Sequence, residues 1–331
     1  MKELLQRLTA AYGPSGSEEP IREVIKNEIK DYVDEINVDV MGNLIAVKHG
    51  SGKKVMLAAH MDQIGVMVTH IDEKGFLRFS NVGGVGVPDI IHRSVSFQNG
   101  LVGVIGYETG DDKGWKETRL DKMYIDIGAK SREEAEKMVN IGDVAVFTPS
   151  FAESNGKFIS GAMDDRAGCA LLIETIKRLK KSPHELYFVF TVQEEVGLRG
   201  ARTSAFSVNP DMGIAVDVTL TGDTPNARPM AVKLGAGPAI KVKDASVLAH
   251  PRVKALMVKR AKEAGIPYQM EILDFGGTDS GAIHLTRGGI PSGVLSIPCR
   301  YVHSAHEMVD AMDMENGVKL LVKILEEEID I

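Results

Sequence analysis

The sequence predicts an α/β protein: a mixed sheet with helices on both faces, interrupted by a small β-barrel-like domain. Three observations lead there. The chain has 331 residues, more than one ordinary core of roughly 100 to 200 residues would use. From Gly161 onward, helical and buried-strand patterns alternate, as in a mostly parallel or mixed sheet covered by helices. Between Ile64 and Pro149 the texture changes to short alternating stretches separated by glycines, the signature of a small barrel or sandwich. The expected division is residues 1–63 with 151–331 for the larger, discontinuous domain and 64–150 for the insert.

The elements follow in order. Leu4, Leu5 and Leu8 form an amphipathic run that Gly13 and Pro14 break. From Glu18 to Val33, apolar Ile21, Val24, Ile25 and Ile29 recur at helical spacing, with Pro20 tolerated in the first turn. Alternating apolar residues flank Met41-Gly42-Asn43, a hairpin signal, and KVMLAA then reads as a buried strand ending at His60. Inside the insert, IGVMVTHI, GFLRFSNVGGVG, RSVSFQNGLVGVIGYE, MYIDIGA and DVAVFTP read as strands and SREEAEKMV as a helical piece. ETGDDKGWKETR has no apolar periodicity and reads as an exposed loop. The larger domain resumes with the helix DRAGCALLIETIKRLKK, the strands ELYFVFTVQ and GIAVDV, the helix PRVKALMVKRAKEAG, the strands YQMEIL and SGVLSI, and a closing helix near Met314 to Glu327.

Composition excludes several classes. With 44% hydrophobic and 26% charged residues, and no apolar run of about 18 residues, no membrane span is expected. The N-terminal segment lacks the apolar core of a signal peptide, so a cytoplasmic location is expected. A net charge of -7 argues against nucleic-acid binding, because phosphate recognition needs clustered Lys and Arg. Lys177, Arg178, Lys180 and Lys181 instead close a helix, where cations favour the negative end of the dipole. Cys169 and Cys299 sit in apolar contexts and read as small buried hydrophobes rather than a disulfide.

Five segments end a buried strand or open a helix with an acidic residue or histidine: AAHMD at His60 and Asp62, GAMDDR at Asp164 and Asp165, TVQEEVG at Glu194 and Glu195, AVDV at Asp217, and RYVHSAHE at His303. Alone, each has a plainer explanation: a hydrogen-bonded structural histidine, a helix cap at Asp164, a turn residue at Asp217. Together they matter, because ligands bind at such strand ends in open α/β sheets. Carboxylates and imidazoles suit divalent metals, and hydrolytic sites with two ions share a carboxylate between them. Adjacent residues in extended chain point oppositely, so if Glu195 ligates a metal, Glu194 could serve as general base beside the attacking water. Asp62, two residues after His60, could fix that ring's tautomer.

Taken in order, LTAAYGPSGSE, MGNLIA, AAHMDQIG, GAMDDR, QEEVGLRGA, AVDV, GGTDSGA and RYVHSAHEM resemble the M42 family of metallo-aminopeptidases almost end to end. That group includes glutamyl and tetrahedral aminopeptidases and proteins labelled endoglucanase. The resemblance implies a hydrolase that removes N-terminal residues from short peptides. It makes His60 and Asp217 terminal ligands of one metal, Glu195 and His303 of the other, Asp164 the bridge and Glu194 the base, with Asp62 orienting His60. His303 is chosen over His306 because it follows the Arg-Tyr-Val stretch as in the family. The ions are expected to be zinc or cobalt, with manganese also compatible. Architecture follows too: the insert is a dimerisation domain, and dimers build a tetrahedral homododecamer or a related smaller assembly. FGGTDSGA, Phe275 to Ala282, would either line the pocket or form a tight glycine loop. Apolar specificity is slightly favoured, although Asp279 could hold a polar or basic side chain.

A glycosidase would give His60 and His303 no role and would want aromatic sugar platforms, which one Trp and 5% aromatics scarcely supply. A binding protein with structural metals accounts for the ligands but not for Glu194. Hydrolysis of another amide, such as an N-acyl amino acid, is the nearest rival chemistry.

Overall fold

The computed structural model describes residues 1–108 and 119–331. The expected loop ETGDDKGWKETR lies, apart from its two ends, outside the described residues.

The larger body is an 11-stranded mixed sheet. Its centre is four parallel strands, in the spatial order β12 (Glu185–Thr191), β3 (Lys54–His60), β13 (Met212–Thr219) and β16 (Ser292–Arg300). On one side the hairpin of β1 (Glu35–Val38) and β2 (Leu44–Lys48) continues the sheet antiparallel from β12. On the other side β17 (Glu307–Asp310), β11 (Lys157–Ser160) and β10 (Ala152–Ser154) extend it from β16. β14 (Ala239–Lys243) also pairs with β16 and carries β15 (Gln269–Ile272) in parallel.

Side chains of a strand alternate between faces, and β3 demonstrates it. Val55, Leu57 and Ala59 join the main core beneath α1 (Lys2–Ala10), α2 (Glu19–Ile29), α5 (Met163–Arg178) and α9 (Ala311–Leu325). Met56 and Ala58 face the opposite core, under α6 (Arg199–Val208) and α8 (Ser280–Ile283). α7 (Pro251–Glu263) packs near β14. The strand is apolar on both faces because both faces are covered. Arg166 is fully buried in α5 and donates to the carbonyls of Leu8, Ala11 and Gly13, tying the N-terminal turn to this helix. Burial pulls its guanidinium down only to about 10, so it stays charged at neutral pH.

The second body is a closed antiparallel barrel, in the spatial order β4 (Gly65–Ile71), β5 (Leu77–Val82), β8 (Met123–Asp126), β7 (Val102–Tyr107), β6 (Ser94–Phe97) and β9 (Val144–Phe147). Its own core includes Val66, Phe79, Ile105 and Ile125. Two one-turn helices, α3 (Val87–Ile90) and α4 (Arg132–Ala135), decorate it. The mixed α/β sheet with a barrel agrees with the expected fold class. Among the described residues, no helix is long and apolar enough to cross a membrane.

Candidate active site

The parallel strands deliver their C-terminal ends to one place. His60 closes β3 and pairs in register with Thr191 at the end of β12, which leads into Glu194 and Glu195. Asp217 lies two residues from the end of β13, Asp164 opens α5, and His303 follows β16. The Asp164–Asp165 peptide is cis. His303 holds φ of 64°, a left-handed conformation unusual for a residue with a Cβ.

Asp164 stands between the two histidines. Its Oδ1 lies 3.0 Å from His60 Nε2 and its Oδ2 lies 3.2 Å from His303 Nε2. Asp217 Oδ1 is 3.8 Å from His60 Nε2, and Glu195 Oε2 is 3.2 Å from His303 Nε2. Two triads result, His60–Asp164–Asp217 and Asp164–Glu195–His303, each with ligand atoms within 4.8 Å of one another. They share Asp164. Glu195 Oε1 is buried with no hydrogen-bond partner among the described residues, as an oxygen that faces a cation would be. Oxygen and imidazole donors, a shared carboxylate and an unpartnered buried oxygen fit two divalent ions.

Charges packed this closely shift one another's proton affinity. Burial pushes the carboxyls of Glu194 and Asp217 well above the usual range, and neighbouring carboxylates add to it. Asp164 goes the other way: burial opposes its charge, but hydrogen bonds to His303 and His60 hold it far below the usual range. Burial also opposes the His303 imidazolium, yet hydrogen bonds to Asp164 and Glu195 push it up to about 12.

A surrounding layer fixes these groups. Asp62, fully buried, accepts from the backbone N–H of Glu194 through Oδ1 at 3.0 Å and of Glu195 through Oδ2 at 3.3 Å. Ser15 Oγ donates to the same carboxylate at 2.6 Å. His60 Nδ1 lies 3.1 Å from the backbone carbonyl of Asp62 and 3.6 Å from its carboxylate, so Asp62 touches the ring mainly through its main chain. Asn43, from the MGN turn, accepts from Val192 N–H and donates to the Gly200 carbonyl. A Cβ at Gly200 would sit 2.2 Å from the Asn43 side chain, which accounts for that glycine.

Residues 42–320 match the model of the M42 glutamyl aminopeptidase family. The chain belongs to the M42 peptidases. This M42 chain is therefore an aminopeptidase, a hydrolase of peptide bonds from a metal-dependent family. It is 61% identical over 325 residues to a protein of Acetivibrio thermocellus, covering 98% of each chain. It is 38% identical over 338 residues to a lysyl aminopeptidase of Pyrococcus furiosus, covering 98% of this chain and 96% of the other. Among solved structures, the Pyrococcus horikoshii TET1 peptidase, which can assemble into a tetrahedron or a large octahedral shell, superposes with a TM-score of 0.89 and 37% identity, covering 98% of this chain and 99% of that one.

Within this M42 fold, every residue expected as a ligand from the sequence lies in the cluster. His306, immediately before the four-residue strand that begins at Glu307, joins neither triad. Capping of α5 belongs to Asp165, whose Oδ1 accepts from Gly168 N–H, and not to Asp164. Two arginines adjacent in sequence to the cluster segments stay out of the site: Arg166 binds main-chain carbonyls, and Arg300 pairs with Asp223 at 2.7 Å. FGGTDSGA divides: Phe275, Gly276 and Gly277 line the cavity over the cluster, while Asp279 turns inward to accept from Thr191 Oγ1 at 2.5 Å. Two contributions were missed in the sequence. Glu307 lies buried behind the ligands, and Gly83–Gly84 of the barrel rim approach them. A Cβ at Gly84 would lie 2.6 Å from His303 Nδ1. The signal was present in NVGGVG, which reads only as a strand end.

Proposed function

We propose that this aminopeptidase removes N-terminal residues from short peptides in the cytoplasm with two divalent ions, zinc or cobalt and alternatively manganese. His60 and Asp217 would hold one ion, Glu195 and His303 the other, and Asp164 both. When bound, the ions would polarise the scissile carbonyl and make the attacking water more acidic. The observation carrying this reading is the Asp164 carboxylate, one oxygen facing each histidine in two triads.

Glu194 is the general base. Its carboxyl lines the cavity beside the cluster, and burial makes it a stronger base than an ordinary carboxylate. It takes the proton of the attacking water and returns it to the departing amine. Asp62 is a positioning residue: by holding the backbone N–H groups of Glu194 and Glu195, it sets base and ligand relative to each other. Residues 64–150 would serve as the dimerisation domain, and dimers would build a closed tetrahedral dodecamer like the TET1 peptidase shell.

The test is hydrolysis of aminoacyl-p-nitroanilides and short peptides by metal-stripped protein with zinc, cobalt or manganese restored separately. N-acetylated peptides serve as controls. Metal-dependent release from free N-termini alone is expected. Cleavage of blocked substrates, or full activity without added metal, would overturn the reading.

A further inference from the structure

The cavity over the cluster encloses about 570 Å³. Its charged lining consists of His60, Asp164, Glu194, Glu195, Asp217 and His303, which are the cluster itself. Beyond them the walls are Leu198, Val218, Leu220, Leu273, Phe275 and Val302, with glycines and one hydroxyl residue. That residue, Thr219, donates its hydroxyl to Glu271 at 2.7 Å. Outside the lining, Arg228 lies 5.4 Å from the centroid of the Phe275 ring, a cation that further disfavours lysine. Lys241, 1% exposed, sits 2.7 Å from Glu271 and 3.2 Å from Asp244, and Asp279, which does not line the cavity, accepts from Thr191 through Oδ2 while its Oδ1 has no partner among the described residues. Among the described residues, no Lys, Arg, Asp or Glu outside the cluster lines this cavity.

From this lining we infer that the site selects peptides whose N-terminal residue carries an uncharged, apolar side chain of leucine or methionine size, and discriminates against lysine and glutamate. The inference rests on the reading of this cavity as the aminopeptidase site. A charged side chain entering it would leave water without meeting a counter-charge, which is costly, whereas an apolar one gains from the same burial. The cluster does not repair this for lysine. Four carboxylates, of Asp164, Glu194, Glu195 and Asp217, are balanced in charge by two divalent ions, so little net attraction is left over. The chain would thus differ in preference from the lysyl aminopeptidase it resembles.

Leu273 and Phe275 come from the segment that follows β15, away from the ligand-bearing strand ends, so specificity can be altered there without touching a ligand. The test compares kcat/KM of the metal-loaded full-length protein, in its native assembly, on leucyl-, methionyl-, lysyl- and glutamyl-p-nitroanilide. Calorimetric binding of free L-leucine, L-lysine and L-glutamate accompanies it. Leucine and methionine should lead lysine and glutamate by at least about tenfold, and L-leucine should bind most tightly. Leu273→Asp should raise the lysyl-to-leucyl ratio by about tenfold or more. Parity or a lead for lysine or glutamate in the unaltered protein would overturn the inference while leaving the aminopeptidase reading intact. Failure to cleave every free N-terminus, with calorimetry still ranking L-leucine first, would instead sink the catalytic assignment and spare the apolar pocket.

Discussion

Glu307 accepts a 2.9 Å hydrogen bond from the backbone N–H of Asp164. Its other oxygen accepts from the backbone N–H of His303 at 2.7 Å, so one buried carboxylate clamps the main chain of the proposed bridge and of the last proposed ligand. The clamp also supports His303 in its left-handed conformation. Glu307→Ala leaves both N–H groups without a partner, and support of this kind is commonly worth about 10- to 100-fold in metal affinity. Competition with a chelator should show weakened binding, with Glu307→Gln, which keeps one acceptor oxygen, in between. Unchanged affinity in the alanine variant would refute the clamp.

Glu194→Gln is expected to retain both ions yet lose about 10²- to 10⁴-fold in kcat, the usual scale of general base catalysis. Metal analysis and steady-state kinetics on the same preparation decide it. Near-normal turnover with full metal content would remove Glu194 from its role.

Asp164→Ala takes one oxygen from each triad. Both ions should be lost on dialysis. If two equivalents per chain remained, Asp164 could not be the shared ligand.

The stability of the metal-free protein should fall as pH rises from about 5 to 8. Burial pushes Glu307 up to about 8, from 4.5, and Glu194 and Asp217 move the same way. A carboxyl with a raised folded-state pKa binds more protons folded than unfolded across that interval, so stability declines with pH there. His303, raised from 6.5 to about 12, acts in the same sense above pH 6.5. Asp164 and Asp62, shifted downward from 3.8, contribute only at more acidic pH. Thermal unfolding of metal-stripped protein at constant ionic strength should give a Tm that drops over this interval, and restored metal should flatten the slope. A rising Tm would contradict it.

The residues of the cluster were legible because metal chemistry restricts residue type and the parallel sheet restricts position. His60, Asp217 and the Glu194–Glu195 pair each sit at or just beyond a buried strand, and such strands announce themselves as apolar runs. Glu307 was not legible. Its partners are main-chain N–H groups, one of them 143 residues away in sequence, and a backbone donor leaves no mark on residue type. Asp62 illustrates the same limit from the other side. Its spacing suggested an interaction with His60, while its carboxylate serves mostly the backbone after β12. Strands β10, β11, β14 and β17, each of three to five residues, went unread because their sequences lack the longer apolar runs or flanking strand patterns that marked equally short strands elsewhere.

Arg166 sets an order of events during synthesis. The carbonyls of Leu8, Ala11 and Gly13 reach the guanidinium across more than 150 positions, so the segment around α1 cannot complete its packing until the beginning of α5 has been made. By then the whole barrel segment has been made and is free to close on its own core. Until then α1 is an amphipathic segment without the surface that Leu4, Leu5 and Leu8 pack on.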